Sequence, residues 1–367
     1  MSNQLYFKGL NEIRALAAFS VIFHHLELYK FRIGIKSLFD FPQLNYFIAN
    51  LGKNGVFLFF VLSGFLITYL LLQEKQTTGK ISILKFYGRR IVRIWPLYFI
   101  ILLIGFCFLP FIYNLIPGFF DGQTFYNDRI INLEYGYNLL LFMLFFSNVA
   151  LGFYGGVAGA AQSWSVSVEE QFYFIWPWIV KFFYKKLIFI LIAIVVLINL
   201  IKYNLSFLDN FLFLKYFFQT FHIDFMAIGG IVALLYKDYK LKSFKFLENK
   251  FLLYIVLLLI VLHLFFEISN LTFGVLFSFL IVLMIEQNKE IKILANIGKW
   301  SYGIYMYHPL IMYFTFSLLN KLNLQLGLLY NLFLYILVFG ITTLISFLSY
   351  RFIENYFLKF KNRFSTY

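Results

Sequence analysis

LNEIRALAAFSVIFHHLELY, residues 10–29, is an apolar run of membrane-spanning length that nevertheless carries Glu12, Arg14, His24 and His25. About 20 mostly apolar residues cross the hydrocarbon layer as a helix, and ionisable groups are costly there unless they face protein. An α-helix turns about 100° per residue, so Arg14 and His25 differ by about 20° and share one face, about 16 Å apart along the axis. That stripe needs other helices around it.

The composition agrees. The 367 residues are 62% hydrophobic, 23% aromatic and only 13% charged, about half the charged fraction of a soluble domain. This is an integral membrane protein. No small-residue cleavage site follows the first run, so it is expected to stay in the protein rather than leave as a signal peptide. The single cysteine, Cys107, excludes an intrachain disulfide and a Cys-based metal site. The net charge of +14 tracks the membrane rather than marking a nucleic-acid binder.

Apolar runs occur near 10–29, 55–73, 91–113, 166–183, 187–201, 216–236, 251–267, 271–286, 300–319 and 328–349, with an eleventh near 138–153. Eleven crossings put Lys181, Lys185 and Lys186 and the basic tail Lys359, Lys361 and Arg363 on awkward sides of the bilayer. Treating 138–153 as a re-entrant or interfacial segment, followed by irregular backbone over 155–161, removes the conflict. The expectation is an all-α integral membrane fold of ten transmembrane helices with both termini cytoplasmic. Lys30, Arg32, Lys36, Lys53, Arg129, Lys202, Lys215 and Lys321 then lie outside, Arg14 lies in the membrane, and the other 22 of the 31 basic residues, Lys240 and Lys242 among them, lie inside. No stretch between spans could bury a second core, so 1–367 is expected to be one membrane domain without an appended soluble one.

Several polar groups in or beside the runs could carry chemistry. Arg89, Arg90 and Arg93 precede Trp95 and Pro96; arginines three apart share a helix face and can fork onto phosphate oxygens, although inner-side anchoring also explains them. In SWSVSVEEQFY, 163–173, Glu169 could orient an imidazole, or it and Glu170 could favour a helix start. Asp224 stands two residues after His222 and just before Gly229 and Gly230, either as a charge-balancing partner or in chemistry. His308, in SYGIYMYHP, 301–309, is either a satisfied packing residue or a second imidazole for the site, and His263 is read as structural. GVFLFFVLSGFL, 55–66, has no ionisable group and suits close helix contact. No Walker loop, dinucleotide fingerprint or metal signature appears.

In the ten-span arrangement the histidines of the first run, Glu169 and Asp224 fall toward the outer face, and Arg14, Arg90, Arg93 and Arg351 toward the inner one. Arginines could hold a phosphate-bearing donor from the cytoplasm while a base near the outside meets a hydroxyl acceptor.

Arg14 and His25 with ten residues between them, the 55–66 run, Arg90 and Arg93 with Pro96, 164–173, 297–309 and 350–355 together resemble the acyltransferase type 3 membrane proteins, in order and over nearly the whole chain. The resemblance implies a ten-helix plasma (inner) membrane enzyme that takes an acyl group, usually acetyl from cytoplasmic acetyl-CoA, and gives it to a hydroxyl of a cell-envelope saccharide. It implies no metal and no nucleic acid, and admits glycan-assembly proteins as partners. Carried over by position, His25 is the catalytic histidine with Arg14 and Glu169, while His24, Asp224 and His308 are secondary. Arg90 and Arg93, with Ser63 and Gly64, serve the donor. Whether His25 acts as a base or carries the acyl group stays open. Three departures stand out: His222 where many members have arginine, Tyr356 where the closing motif commonly has proline, and an end at Tyr367 where many members continue into an esterase-like domain. A transporter or flippase of lipid-linked saccharides is the rival of a different class.

Overall fold

The computed structural model describes residues 6–239, 245–266, 269–322 and 327–364. Lys240 and Lys242, assigned above to the inner side, lie outside these. Among the described residues every regular element is helical. In chain order these are α1 (Leu10–Arg32), α2 (Pro42–Thr78), α3 (Ile83–Leu103), α4 (Leu109–Leu115), α5 (Thr124–Ile131), α6 (Tyr137–Met143), α7 (Ser147–Tyr154), α8 (Ser163–Phe183) and α9 (Leu187–Tyr203). They continue with α10 (Leu212–Thr220), α11 (Ile223–Lys237), α12 (Lys250–Leu264), α13 (Asn270–Glu286), α14 (Lys292–Lys299), α15 (Ser301–Lys321), α16 (Gly327–Ser349) and α17 (Asn355–Leu358).

Four continuous helical runs are long and apolar enough to cross a bilayer: Pro42–Thr78, Ile83–Leu115, Ser163–Tyr203 and Leu329–Phe364. α10 and α11, bent by 41° at their junction, pass together as a fifth. Ser163–Tyr203 folds back on itself at Tyr184–Lys186. Trp164 near its start lies 6.4 Å from the His222 ring and Lys202 near its end reaches His222 Nδ1 at 2.8 Å, whereas a straight helix would separate Trp164 and Lys202 by about 57 Å. Each arm is therefore a separate pass through the structure. The segment 138–153 falls on α6 and α7, two short helices parted at Phe145, whose φ of 59° interrupts any single span. The Gly-rich stretch after it is irregular, with Val157 and Ala160 buried.

α1 and α15 are long enough to span, yet neither is among the apolar set. They carry Arg14 and the contacting histidines and sit inside, ringed by helices with large side chains, such as Phe189, Phe251 and Ile336, that point outward and are more than 60% exposed. An apolar outer surface is what lipid demands, and it frees the inner helices to be polar. α1 meets α2 along small residues: Ala15, Ala17 and Ala18 are buried, and a Cβ on Gly55 would strike Ser20 and the Ala17 carbonyl. α2 and α11 cross still more closely. A Cβ on Gly64 would collide with the Met226 backbone, and one on Gly229 with the Val61 carbonyl. In lipid, where apolar side chains gain little by leaving the solvent, such backbone approach is a main source of helix association.

Candidate active site

α1 and α15 run side by side in the same direction, so their polar positions pair at two levels. At one level, His25 Nδ1 lies 2.8 Å from His308 Nε2, the rings stacked at 17° with centroids 4.9 Å apart. His308 Nδ1 in turn lies 2.7 Å from the Tyr305 carbonyl oxygen. A carbonyl only accepts, so His308 Nδ1 carries the proton and Nε2 is left as an acceptor. His25 Nδ1 must then donate to it, which leaves a lone pair on His25 Nε2. The Tyr305 carbonyl is available because the residue four further on is Pro309, which has no N–H to close that helical hydrogen bond. His308 is fully buried and His25 partly exposed. The buried ring holds, and the exposed ring can react.

At the other level, toward the N-terminal end of α1, Arg14, Arg90, Arg93, Glu169, Tyr173, Ser63 and Lys361 line a cavity of about 280 Å³. Tyr173 donates to Glu169 Oε2 at 2.9 Å, so Ser63 Oγ, in short contact with the phenol oxygen, donates to Tyr173. Arg14 reaches Asn11 Oδ1 at 3.4 Å. Arg90 sits 5.9 Å from the centroids of both Phe86 and Tyr173, and its Nε is buried with no hydrogen-bond partner. Glu169 is the single carboxylate among the lining residues. Ser165 and Tyr305 also belong to the wall, joined by a 2.7 Å hydrogen bond, and His308 stands one turn further along α15 behind Tyr305.

The structure thus sorts the expected residues into groups. His25 and His308 touch, whereas Glu169 lies with Tyr173 and the arginines rather than beside an imidazole. Ser63 faces the cavity; Gly64, expected with it on the donor side, turns away to pack on α11. His24 lies off to one side, its Nδ1 donating to the Ile48 carbonyl at 2.9 Å. Asp224 is buried in a separate cluster, with Lys202 Nζ at 3.2 Å and Asn199 at 3.2 Å. The charge partner that His222 fails to provide two residues upstream comes instead from α9, and Lys202 also donates to His222 Nδ1. His263 packs against Phe273 on α13, away from both levels. Among the described residues, no group of three or more His, Cys, Asp or Glu side chains is placed to hold a metal ion.

None of Tyr173, Ser165, Lys202 and Lys361 was read from the sequence as a site residue. Tyr173 could have been, since it follows Glu169 by four residues and must share its helix face. Lys361 gives no local signal at all, because the other residues that build the cavity it joins end at Tyr305, 56 positions earlier.

A helical membrane protein with a tautomer-fixed imidazole on one helix and a cationic cavity further down that helix is equipped for group transfer from an anionic donor. The family model described as an acyltransferase domain, the acyltransferase 3 type, matches residues 7–351, and the chain belongs to that family. It is 26% identical over 378 residues to the O-acetyltransferase OatA of Staphylococcus aureus (strain NCTC 8325 / PS 47), an alignment that covers 96% of this chain and 57% of OatA. It is 27% identical over 393 residues to the putative O-acetyltransferase SACOL0978 of S. aureus (strain COL), covering 96% of this chain and 58% of that protein. The chain therefore spans a little over half the length of these curated relatives. No solved structure matches it.

Proposed function

We propose that the protein is a ten-span plasma-membrane O-acyltransferase that moves an acetyl group from cytoplasmic acetyl-CoA to a hydroxyl of a surface or exported saccharide. The observation that carries this is the lone pair left on His25 Nε2 by the chain from His25 through His308 to the Tyr305 carbonyl. A neutral imidazole so held is a general base at ordinary pH. Arg14, on the same face as His25 and about 16 Å away along the axis, belongs with Arg90 and Arg93 to the end that receives the donor's phosphates.

In this scheme the acceptor hydroxyl gives its proton to His25 Nε2 as its oxygen attacks the thioester carbonyl. The new C–O bond forms, the C–S bond breaks, and the imidazolium returns the proton to the leaving thiolate. His308 accepts the His25 Nδ1 proton throughout and stabilises the imidazolium as it forms, the part a carboxylate plays in other histidine-based sites. Glu169 and Tyr173 fix Ser63 and balance part of the arginine charge.

Mass analysis of envelope glycans from cells carrying His25→Ala tests the proposal. Acetyl incorporation is expected to fall by roughly 10²- to 10⁴-fold, the usual worth of a general base, with glycan export unchanged. Loss of export of an otherwise unmodified glycan would instead identify a transporter and end this proposal.

A further inference from the structure

Arg89 neighbours Arg90 on α3 but does not face the cavity. Its guanidinium donates to Glu74 Oε2 at 3.0 Å and to the Phe364 carbonyl oxygen at 2.8 Å. Beside it, Gly88 leaves room that the Phe364 ring fills, so that any Cβ at position 88 would collide with the ring. Two features of α3 thus serve to hold the segment Lys359–Phe364, a 3-10 turn that follows α17. The consequence lies three residues before the latch: Lys361, half-buried, is set into the wall of the cationic cavity.

Among the described residues, Lys361 has no carboxylate paired with it in the cavity. It shares the cavity with Arg14, Arg90 and Arg93, against Glu169 alone. Four cations line the cavity against one lining carboxylate, with Glu170 within electrostatic reach of Arg90 and Glu354 of Arg93 just outside the lining, so positive charge is still in excess in a partly buried space, where like charges repel far more than in water. Arg90 Nε, buried and unbonded, shows donor capacity that the protein itself does not use. A diphosphate carries two negative charges. A further phosphate monoester on the same nucleotide, as in coenzyme A, adds about two more, and the excess of positive charge in the cavity suits such a ligand.

We propose that Lys361 is a donor-binding residue, and that the C-terminal turn, latched by Arg89 and Gly88, completes a four-cation site for the phosphates of a nucleotide thioester. This rests on the acyl-transfer reading above. The chemistry recognised is clustered phosphate, which an anionic lipid headgroup could also present, so the experiment separates the two.

The full chain is reconstituted in vesicles and its transfer rates compared with acetyl-CoA and with S-acetylpantetheine, which keeps the thioester but lacks the nucleotide. In Lys361→Gln the ratio of the two specificity constants is expected to fall about tenfold, the order of one charge-assisted phosphate contact, and Lys361→Arg restores it. Calorimetric binding of coenzyme A, weakened by a similar factor in Lys361→Gln, gives the same answer without turnover. An unchanged ratio and unchanged binding overturn the proposal. So does a loss that follows the anionic-lipid content of the vesicles instead of the donor. A wild-type protein that binds coenzyme A in a Lys361-dependent way but transfers nothing would refute the acyl-transfer reading alone.

Discussion

His25 and His308 illustrate how two residues of one type can hold opposite roles. One is buried and has both ring nitrogens engaged; the other has a nitrogen to spare. Replacing His308 by alanine removes the acceptor for His25 Nδ1–H and lets the His25 ring turn or change tautomer. Acetyl transfer is expected to fall by about 10²-fold, within the usual range for a supporting group of an acid–base site. His308→Gln, whose side-chain carbonyl can still accept that proton, is expected to recover a substantial part of the loss. Rates of both variants at saturating donor, with donor KM unchanged, check this; a donor KM effect in place of a rate effect would place His308 in binding. The sequence presented both histidines but ranked His308 below Glu169 as a companion for His25. Their separation of 283 residues hides the contact, whereas Glu169 looked suitable because a carboxylate is the commoner partner of an imidazole.

The helix α15 owes its chemistry to Pro309. A proline inside a helix frees the carbonyl four residues earlier and ordinarily destabilises it. Here the freed carbonyl is that of Tyr305, and it fixes the tautomer of His308. In Pro309→Ala the alanine N–H competes for that carbonyl, so His308 loses its exclusive acceptor. Acetyl transfer is expected to drop several-fold while the melting temperature in detergent holds or rises, since helix propensity favours alanine by about 3 kcal/mol over proline in a helix interior. A fall in both together would make Pro309 a packing residue. At this scale the sequence was informative. Helices lie under the ten expected runs, with 216–236 broken between α10 and α11 and the end of 251–267 outside the described residues; four helical runs, or five with α10 and α11 together, are long and apolar enough to cross a bilayer, and the interrupted 138–153 segment appears as α6 and α7. Hydrophobic periodicity and turn residues are local, and local signals survive in a chain so rich in Phe, Leu and Ile. The folding back of α8 and α9 was marked the same way, by Lys181, Lys185 and Lys186 at their junction.

Among the described residues, apolar helix surfaces surround α1 and α15, with the contacting imidazoles at one level and the cations, from α1, α3 and the turn after α17, at another. The ten-span arrangement proposed above would put the turn after α1 and the segment after α17 on opposite faces of the membrane. After Cys107 is replaced by serine, a single cysteine at Gly34 is expected to react with an impermeant maleimide from outside intact cells, and one at Asn362 only after the cells are opened. Labelling of both from the same side would reject the topology, and with it the division of donor and acceptor between faces. The sequence by itself determined that this is a helical membrane protein with Arg14 and His25 on one face, because composition, run length and helical spacing depend only on neighbours along the chain. The tertiary structure alone decided which polar groups meet: His308 rather than Glu169 at His25, Lys202 at Asp224, and Lys361 beside the arginines. The last of these depends on the room that Gly88 leaves for the Phe364 ring, and the α2–α11 crossing is set in the same way by Gly64 and Gly229. Helix approach depends on surfaces far apart in the chain, and no local pattern encodes it.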